Sequence, residues 1–354
     1  MRILTVGNLY PPQHLGGYEL MWQAAVAGLR DRGHDVQVLT TDTIFREAEE
    51  TEPGVERSLR WYWRDHRFPR FTPITVRRIE RHNRLRFIDA ARDADLVSFW
   101  SMGGMSLSML ALTGVTPSIA NVHDLWPLYG PKVDRSFDGM LRLPPTLFVS
   151  EWVKAKVGRP GQVIPSGYDT TVFRVARPRP EWEGKLLLPG RIDPRKGHRT
   201  ALAAFAPEQL TVAGAGEDAL TNELAAAGAT MLGQLEPEDL AQQYAACDAV
   251  LFPVEWDEPW GLVPLEAMAV GRPVIATGKG GSAEYLRHEQ NCLLVDAGSP
   301  EALAQAVGRL ATDEPLRARL RTNGFETASQ HTLEQFVQRT ADAHEGAFAR
   351  GECP

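Results

Sequence analysis

The sequence predicts an α/β protein of two doubly wound domains. Short apolar runs alternate with helical segments, which points to parallel sheets covered by helices on both faces. The alternation breaks once, at Val175-Ala176-Arg177-Pro178-Arg179-Pro180-Glu181, and then restarts. A length of 354 residues exceeds one ordinary core and suits two.

Composition narrows the classes. Hydrophobic residues at 43% and charged residues at 23% are those of a globular chain. A net charge of −7 argues against a dedicated nucleic-acid binder. Cys247, Cys292 and Cys353 show no CxxC spacing, so neither a disulfide scaffold nor a zinc site is expected, and a reducing, cytoplasmic setting fits. The apolar run at the N-terminus is too short for a signal peptide. Residues 96–122 carry no charge and are long enough to span a membrane, but Gly103-Gly104, Gly114 and Pro117 interrupt them. They are read as strand, loop, helix and strand.

In the first half, residues 2–6 read as a strand, 8–17 as a loop, and 18–32 as a helix stopped by Gly33. Further strands are expected at 36–40, 96–100, 118–122 and 146–149. In the second half, strands are expected at 185–189, 210–213, 230–232, 249–253, 273–276 and 292–295. Helices are read at 200–205 and 237–247, with a closing amphipathic helix at 333–348. These give an N-terminal domain at 1–172, a linker at 173–180, a second domain at 181–330 and a terminal helical segment at 331–354 expected to return to the first domain. In such sheets, ligands sit at the carboxyl ends of the strands.

Residues 255–276 hold the most specific pattern. Glu258 and Glu266 stand eight apart, with Trp260-Gly261-Leu262-Val263 between them and Ala267-Met268-Ala269-Val270-Gly271-Arg272-Pro273-Val274 following. Glu258 falls on a loop after a buried strand, and a helix begins near Val263. The unpaired N–H groups and dipole of a helix start suit a diphosphate. Glu266, in the first turn, could accept from a ribose diol, and Glu258 from sugar hydroxyls. The plainer alternative is that both glutamates cap and solvate a helix start.

This pattern resembles the glutamate-x7-glutamate motif of the retaining glycosyltransferase family 4. Gly190-Arg191-Ile192-Asp193-Pro194-Arg195-Lys196-Gly197 resembles the same family's Gly-Arg-…-Lys-Gly loop, where the matching Arg191 and Lys196 would neutralise the donor diphosphate. Ile164-Pro165-Ser166-Gly167-Tyr168-Asp169 resembles its Ile-Pro-Asn-Gly-x-Asp segment, with Ser166 in place of Asn, and is read as an interdomain hinge mark. Gly16 and Gly17 close the first strand–loop–helix turn, where a phosphate could approach the backbone; a simple tight turn is the alternative. His123, at the end of a predicted strand, matches a histidine that contacts the transferred sugar; a structural histidine is the alternative. Gly214-Ala215-Gly216 would fit a dinucleotide fingerprint, but no acidic residue ends the next strand. In register with the other motifs, Gly214 and Gly233 fall on loops beside the nucleotide.

The resemblance implies a GT-B fold, two Rossmann-like domains facing a central cleft, and a retaining hexosyltransferase. The donor would be a nucleoside diphosphate sugar, UDP favoured over GDP on family frequency. The acceptor would be a small molecule, glycolipid or glycan. No cofactor is expected, and no metal either, because no Asp-x-Asp motif stands at a predicted strand end; Arg191, Lys196 and helix N-termini would do a metal's electrostatic work. The alternatives are a non-catalytic nucleotide-sugar-binding subunit, a GT-B epimerase and, more distantly, a nicotinamide dehydrogenase resting on Gly214 and Gly216.

One stretch stays open. Residues 57–86 hold ten arginines against only Asp65 and Glu80, interleaved with Trp61, Tyr62, Trp63, Phe68 and Phe71. They fit an acceptor site, a contact with anionic lipid at the inner membrane face, or a solvated face with its aromatics in the core.

Overall fold

The computed structural model describes residues 1–44, 52–64, 67–134, 136–137, 140–179 and 181–351. The chain divides into two compact units, Met1–Pro165 with Phe336–Pro354, and Ser166–Gln335. The expected hinge mark thus carries the boundary, at Pro165. Residues 173–179 of the expected linker fall inside the second unit, where Ala176 N donates to Val270 O at 3.0 Å.

In the first unit, β1 (Arg2–Val6) leads through a loop to α1 (Gly17–Asp31), β2 (Asp35–Thr41), β3 (Val55–Leu59) and α2 (Pro73–Ala91). There follow β4 (Leu96–Phe99), β5 (Ser118–Val122), α3 (Trp126–Val133), β6 (Thr146–Phe148), α4 (Glu151–Val157) and β7 (Gln162–Val163). All seven strands are parallel, in the order β3-β2-β1-β4-β5-β6-β7. Both faces of such a sheet are covered, so its inner strands read as unbroken apolar runs rather than as alternation. The uncharged residues 96–122 are β4, a loop, a 3-10 turn (Leu107–Ala111) and β5, as expected. Among the described residues no helix is long and apolar enough to cross a membrane.

Two of the elements that the sequence did not give, β3 and α2, lie largely in the arginine-rich stretch. β3 pairs parallel with β2, with a register shift between Thr40 and Thr41, and α2 is nineteen residues long. Thr72 caps α2 by accepting from Thr75 N, and Pro73 opens it. Its inward residues Val76, Ile79, Asn83 and Phe87 have helical spacing, but the arginines between them mask the pattern. The aromatics of this stretch pack inward. Trp61 stacks on Trp63 at 5.3 Å, Phe68 meets Trp63 edge-on, and Trp61 Nε1 donates to Gly103 O at 2.8 Å. Asp65 lies outside the described residues.

The second unit runs β8 (Leu186–Pro189), α5 (His198–Ala204), β9 (Leu210–Ala213), α6 (Asp218–Ala227), β10 (Thr230–Gly233) and α7 (Pro237–Ala246). It continues through β11 (Ala249–Phe252), α8 (Val263–Val270), β12 (Val274–Ala276), β13 (Leu293–Leu294), α9 (Pro300–Thr312) and α10 (Glu314–Ala328). Its six parallel strands take the order β10-β9-β8-β11-β12-β13. Cys247 and Cys292 are buried free thiols, and Cys353 lies outside the described residues.

The last helix, α11 (Leu333–Arg350), joins the first unit from Phe336 on. Arg32 bonds Asp342 at 2.7 Å and Glu345 at 3.2 Å, and Val337 fills the space left by the missing side chain of Gly28. His344 is fully buried. Its Nδ1 faces Thr340 O, which can only accept, so Nδ1 holds the proton and Nε2 accepts from the Ser98 hydroxyl at 2.7 Å.

Candidate functional site

In the second sheet the strand order reverses between β8 and β11. Loops leaving adjacent strands at such a point diverge and open a crevice at the carboxyl ends. The loop after β8 carries Gly190, Arg191, Asp193, Arg195 and Lys196; the loop after β11 carries Trp256, Glu258 and Gly261. The two meet: Lys196 Nζ lies 2.6 Å from Glu258 Oε2, with the two side chains 21% and 12% exposed. Trp256 Nε1 donates to the same oxygen at 3.0 Å. The Arg195 guanidinium sits 4.5 Å over the Trp256 ring and the Lys196 ammonium 5.4 Å from it. Asp193 takes two hydrogen bonds from the Arg195 side chain and lies 3.5 Å from Arg191 NH2. These cations hold the Asp193 carboxyl well below its usual range, the Arg195 hydrogen bond first.

The backbone of Glu258 is fixed by its neighbour across the turn. Gly281 N donates to Glu258 O at 2.7 Å, and Gly280, at φ +69°, passes so close that a Cβ there would lie 2.4 Å from that oxygen. Gly261, at φ +87°, turns the chain into α8. No side chain caps α8, and Pro264 in its first turn brings no N–H, so the other N–H groups of that turn have no side-chain cap. The turn at Gly190 comes near it, since a Cβ on Gly190 would lie 4.0 Å from Val263 Cγ2.

Glu266 lies in that first turn. Tyr244 Oη, from α7, donates to Glu266 Oε2 at 2.7 Å. Burial pushes the Glu266 carboxyl up to about 7, against the pull of that hydrogen bond. Tyr285 lies near enough to Glu258 and Glu266 for both charges to raise its phenol further, after burial. Its hydroxyl donates to Gly261 O at 2.5 Å.

The other expected donor residues fall elsewhere. Trp260 is buried, gives its indole N–H to Ser166 O at 2.8 Å and packs on Tyr285 and His331, so it supports the loop from behind. A Cβ on Gly214 would lie 1.9 Å from Gly190 O, and one on Gly216 2.0 Å from Ile192 O. Both glycines therefore let the loops after β8 and β9 pair, with Ile192 N donating to Ala215 O and Glu217 N to Ile192 O. Gly233 has φ +68° at the end of the edge strand β10, with open space about it. Two further hollows of about 380 Å³ exist in this unit, around His288 and Arg309 and around Arg287 and Asn291. Neither includes the Lys196–Glu258 pair. Among the described residues no group of three or more His, Cys, Asp or Glu is placed to hold a metal ion.

In the first unit the order reverses between β1 and β4. Gly16 precedes α1, with its N–H on Glu19 Oε2 at 3.1 Å, and Gly17 is the first residue of that helix. Gly16 is extended and a Cβ on it would touch nothing nearer than 3.9 Å, so the fold itself does not demand glycine there. His123 follows β5 and stacks on Trp100 at 5.6 Å, with Tyr18 and Phe336 also against it. Burial alone lowers it to about 4, so it is neutral at pH 7. Asp124 accepts from Trp126 N and Tyr129 Oη, each at 2.9 Å.

Comparison with known proteins identifies the family and the fold. The model for glycosyl transferases group 1 matches residues 169–327, and that for Glycosyltransferase Family 4 matches residues 15–172. The chain belongs to glycosyltransferase family 4. A D-inositol 3-phosphate glycosyltransferase of Nocardioides is 32% identical over 224 residues, which are 53% of this chain and 49% of that protein. An uncharacterized glycosyltransferase of Methanocaldococcus jannaschii is 31% identical over 47% of this chain and 46% of its own length. The chain thus matches about half the length of these relatives. A sucrose-phosphate synthase from Thermosynechococcus elongatus superposes with a TM-score of 0.78 at 22% identity, covering 99% of both chains. Anabaena Alr3699/HepE, in complex with UDP-glucose, gives 0.74 at 20% identity, over 98% of this chain and 100% of that one. The fold of this family 4 protein is accordingly GT-B.

Spacing and resemblance found Arg191, Lys196, Glu258 and Glu266, which the fold brings to one end of one sheet. They missed the aromatic donors that hold the two glutamates. Trp256, two residues before Glu258, was within reach of inspection; Tyr244 lies 22 residues before Glu266 and gives no spacing signal.

Proposed function

We propose that this protein is a retaining glycosyltransferase that takes a sugar from a nucleoside diphosphate donor, UDP preferred over GDP. The carrying observation is the Lys196–Glu258 pair at 2.6 Å beside the uncapped start of α8, with Glu266 in its first turn. Without donor, cation and carboxylate neutralise each other. A diphosphate gives Lys196 and Arg191 a second anion and takes up the free donors of α8. Glu258, still held by Trp256, is then available to sugar hydroxyls, and Glu266 to the ribose diol.

In the reaction, the bond from the anomeric carbon to the diphosphate oxygen breaks. A bond to the acceptor oxygen forms on the same face, and the acceptor proton passes to the leaving diphosphate. Charge grows on that diphosphate in the transition state, where Arg191, Lys196 and the helix start stabilise it without a metal. Taken by itself, the first unit offers Gly16 and Gly17 as close-approach backbone and His123 as a neutral hydrogen-bonding group. A fold relative bound to UDP-glucose supports the donor class. The nicotinamide reading loses its footing, because Gly214 and Gly216 serve the pairing of two loops.

The test offers UDP- and GDP-hexoses with a panel of polyol and glycan acceptors and follows the anomeric proton by NMR. A glycoside with the donor's own anomeric configuration is expected. An inverted product would end the retaining reading, and donors never consumed would end the enzymatic one.

A second reading concerns α2. Its outward face carries exposed Ile74, Leu85 and Ile88 among exposed Arg77, Arg78, Arg81 and Arg84, a pattern suited to an anionic lipid surface. Sedimentation with anionic but not neutral vesicles, lost in Arg78→Glu/Arg81→Glu, is its expected result. Equal behaviour with both vesicles would remove it.

A further inference from the structure

We propose that Tyr244 is a positioning residue for the nucleotide: its hydroxyl fixes the Glu266 carboxylate as the acceptor for the ribose diol. The inference rests on the donor reading above and assigns a role outside its motifs.

Tyr244 is fully buried near the end of α7, and its place there is over-determined. Arg272, itself buried, donates from Nε to Tyr244 O at 3.1 Å and from NH2 to Ala245 O at 2.6 Å. These are carbonyls that the end of α7 leaves unpaired. Cys247 Sγ reaches Tyr244 O at 3.3 Å, and Phe173 meets the Tyr244 ring edge-on at 5.8 Å. From this fixed point Tyr244 Oη donates to Glu266 Oε2 at 2.7 Å. Among the described residues no other side chain bonds Glu266, and no cation pairs with it.

The groups facing this carboxyl are Tyr244 from α7 and Tyr285 after the Gly281–Glu284 turn, with the Glu258 charge acting on the same Tyr285. Lys196 is engaged by Glu258. Burial therefore favours the protonated acid, and the Tyr244 hydroxyl is the one neighbour that favours the carboxylate. With Oε2 committed to Tyr244, Oε1 is left to accept. A protonated Glu266 would offer a donor where the diol needs an acceptor.

The test is metal-free calorimetry of UDP binding between pH 5.5 and 9. Wild type is expected to lose affinity as pH falls through about 7. In Tyr244→Phe the midpoint moves up by about one pH unit, affinity falls roughly fivefold at about pH 7 and roughly tenfold at about pH 6, and wild-type affinity returns towards pH 9. Glu266→Gln shows no step, and adding Tyr244→Phe to it changes nothing further. An unshifted midpoint, or an equal loss at every pH, means that Tyr244 only supports the fold, and overturns the proposal. Should the Phe variant not fold, wild type at pH 6 is expected to release up to about one proton per UDP bound, and Glu266→Gln none; no release also overturns it. A wild type that binds no nucleoside diphosphate at any pH defeats the donor reading itself, a result distinct from all of these.

Discussion

Burial raises the Glu266 carboxyl to about 7, so the folded chain binds that proton more tightly than the unfolded one. Between about pH 4.5 and 7, stability therefore falls as pH rises, and the deficit persists above pH 7. Glu266→Gln removes the buried charge and keeps the shape. Its melting temperature is expected to exceed that of wild type, by a few degrees at pH 8 and by less towards pH 4.5. A scanning calorimeter at both pH values decides it; a variant less stable at pH 8 would contradict the burial argument. The same variant is expected to bind UDP poorly, so the residue costs stability where it serves binding. Spacing together with the family resemblance singled out Glu258 and Glu266, because the residue types and the helix start are local facts. It misplaced Trp260, an aromatic inside the same motif, because sequence does not show which side of a loop faces the core. The 4% exposure of Trp260 and its bond to Ser166 answer that.

Glycines separate the demands of an element from those of a ligand. Gly214→Ala and Gly216→Ala drive a Cβ into the carbonyls of Gly190 and Ile192, which are backbone and cannot give. Each is expected to cost about 2–4 kcal/mol, read by urea denaturation. Gly16→Ala meets open space at an extended residue, so its denaturation midpoint should not move. If Gly16 lets a diphosphate approach the backbone, that variant loses donor affinity while keeping its stability. Unchanged affinity would leave Gly16 as a simple turn. The inner strands were legible because parallel sheets bury both faces and leave continuous apolar runs, as in β4, β5 and β11; the edge strands β3 and β7, with exposed and half-buried residues, were not. α2 was not, because its core contacts are four residues among exposed arginines. The linker reading at 173–180 followed prolines and arginines, yet the backbone of Ala176 and Arg177 is tied to Val270 and Arg272.

Across the molecule, burial lowers His123, His198 and His344 to about 4. The folded chain keeps them neutral, whereas the unfolded chain protonates them near 6.5, so their share of stability is present above 6.5 and lost as pH falls towards 4. A steep fall in melting temperature over that interval is expected, and a flat profile would contradict the buried, neutral assignment. His198 lies in the second unit; His123 and His344 lie in the first, the latter on the helix that the chain returns after passing through the second. The two-sheet architecture was legible because the alternation restarts after residue 181. The exact boundary was not, since contacts rather than composition set it at Pro165. In the proposed function, the second unit binds a nucleoside diphosphate through Arg191, Lys196 and the start of α8. Metal-free calorimetric titration of UDP, GDP and NAD into wild type and Lys196→Ala is the decisive experiment. UDP or GDP is expected to bind wild type, and the variant to lose at least tenfold, about 1.4 kcal/mol. Binding of NAD alone, or of none of the three, would contradict it.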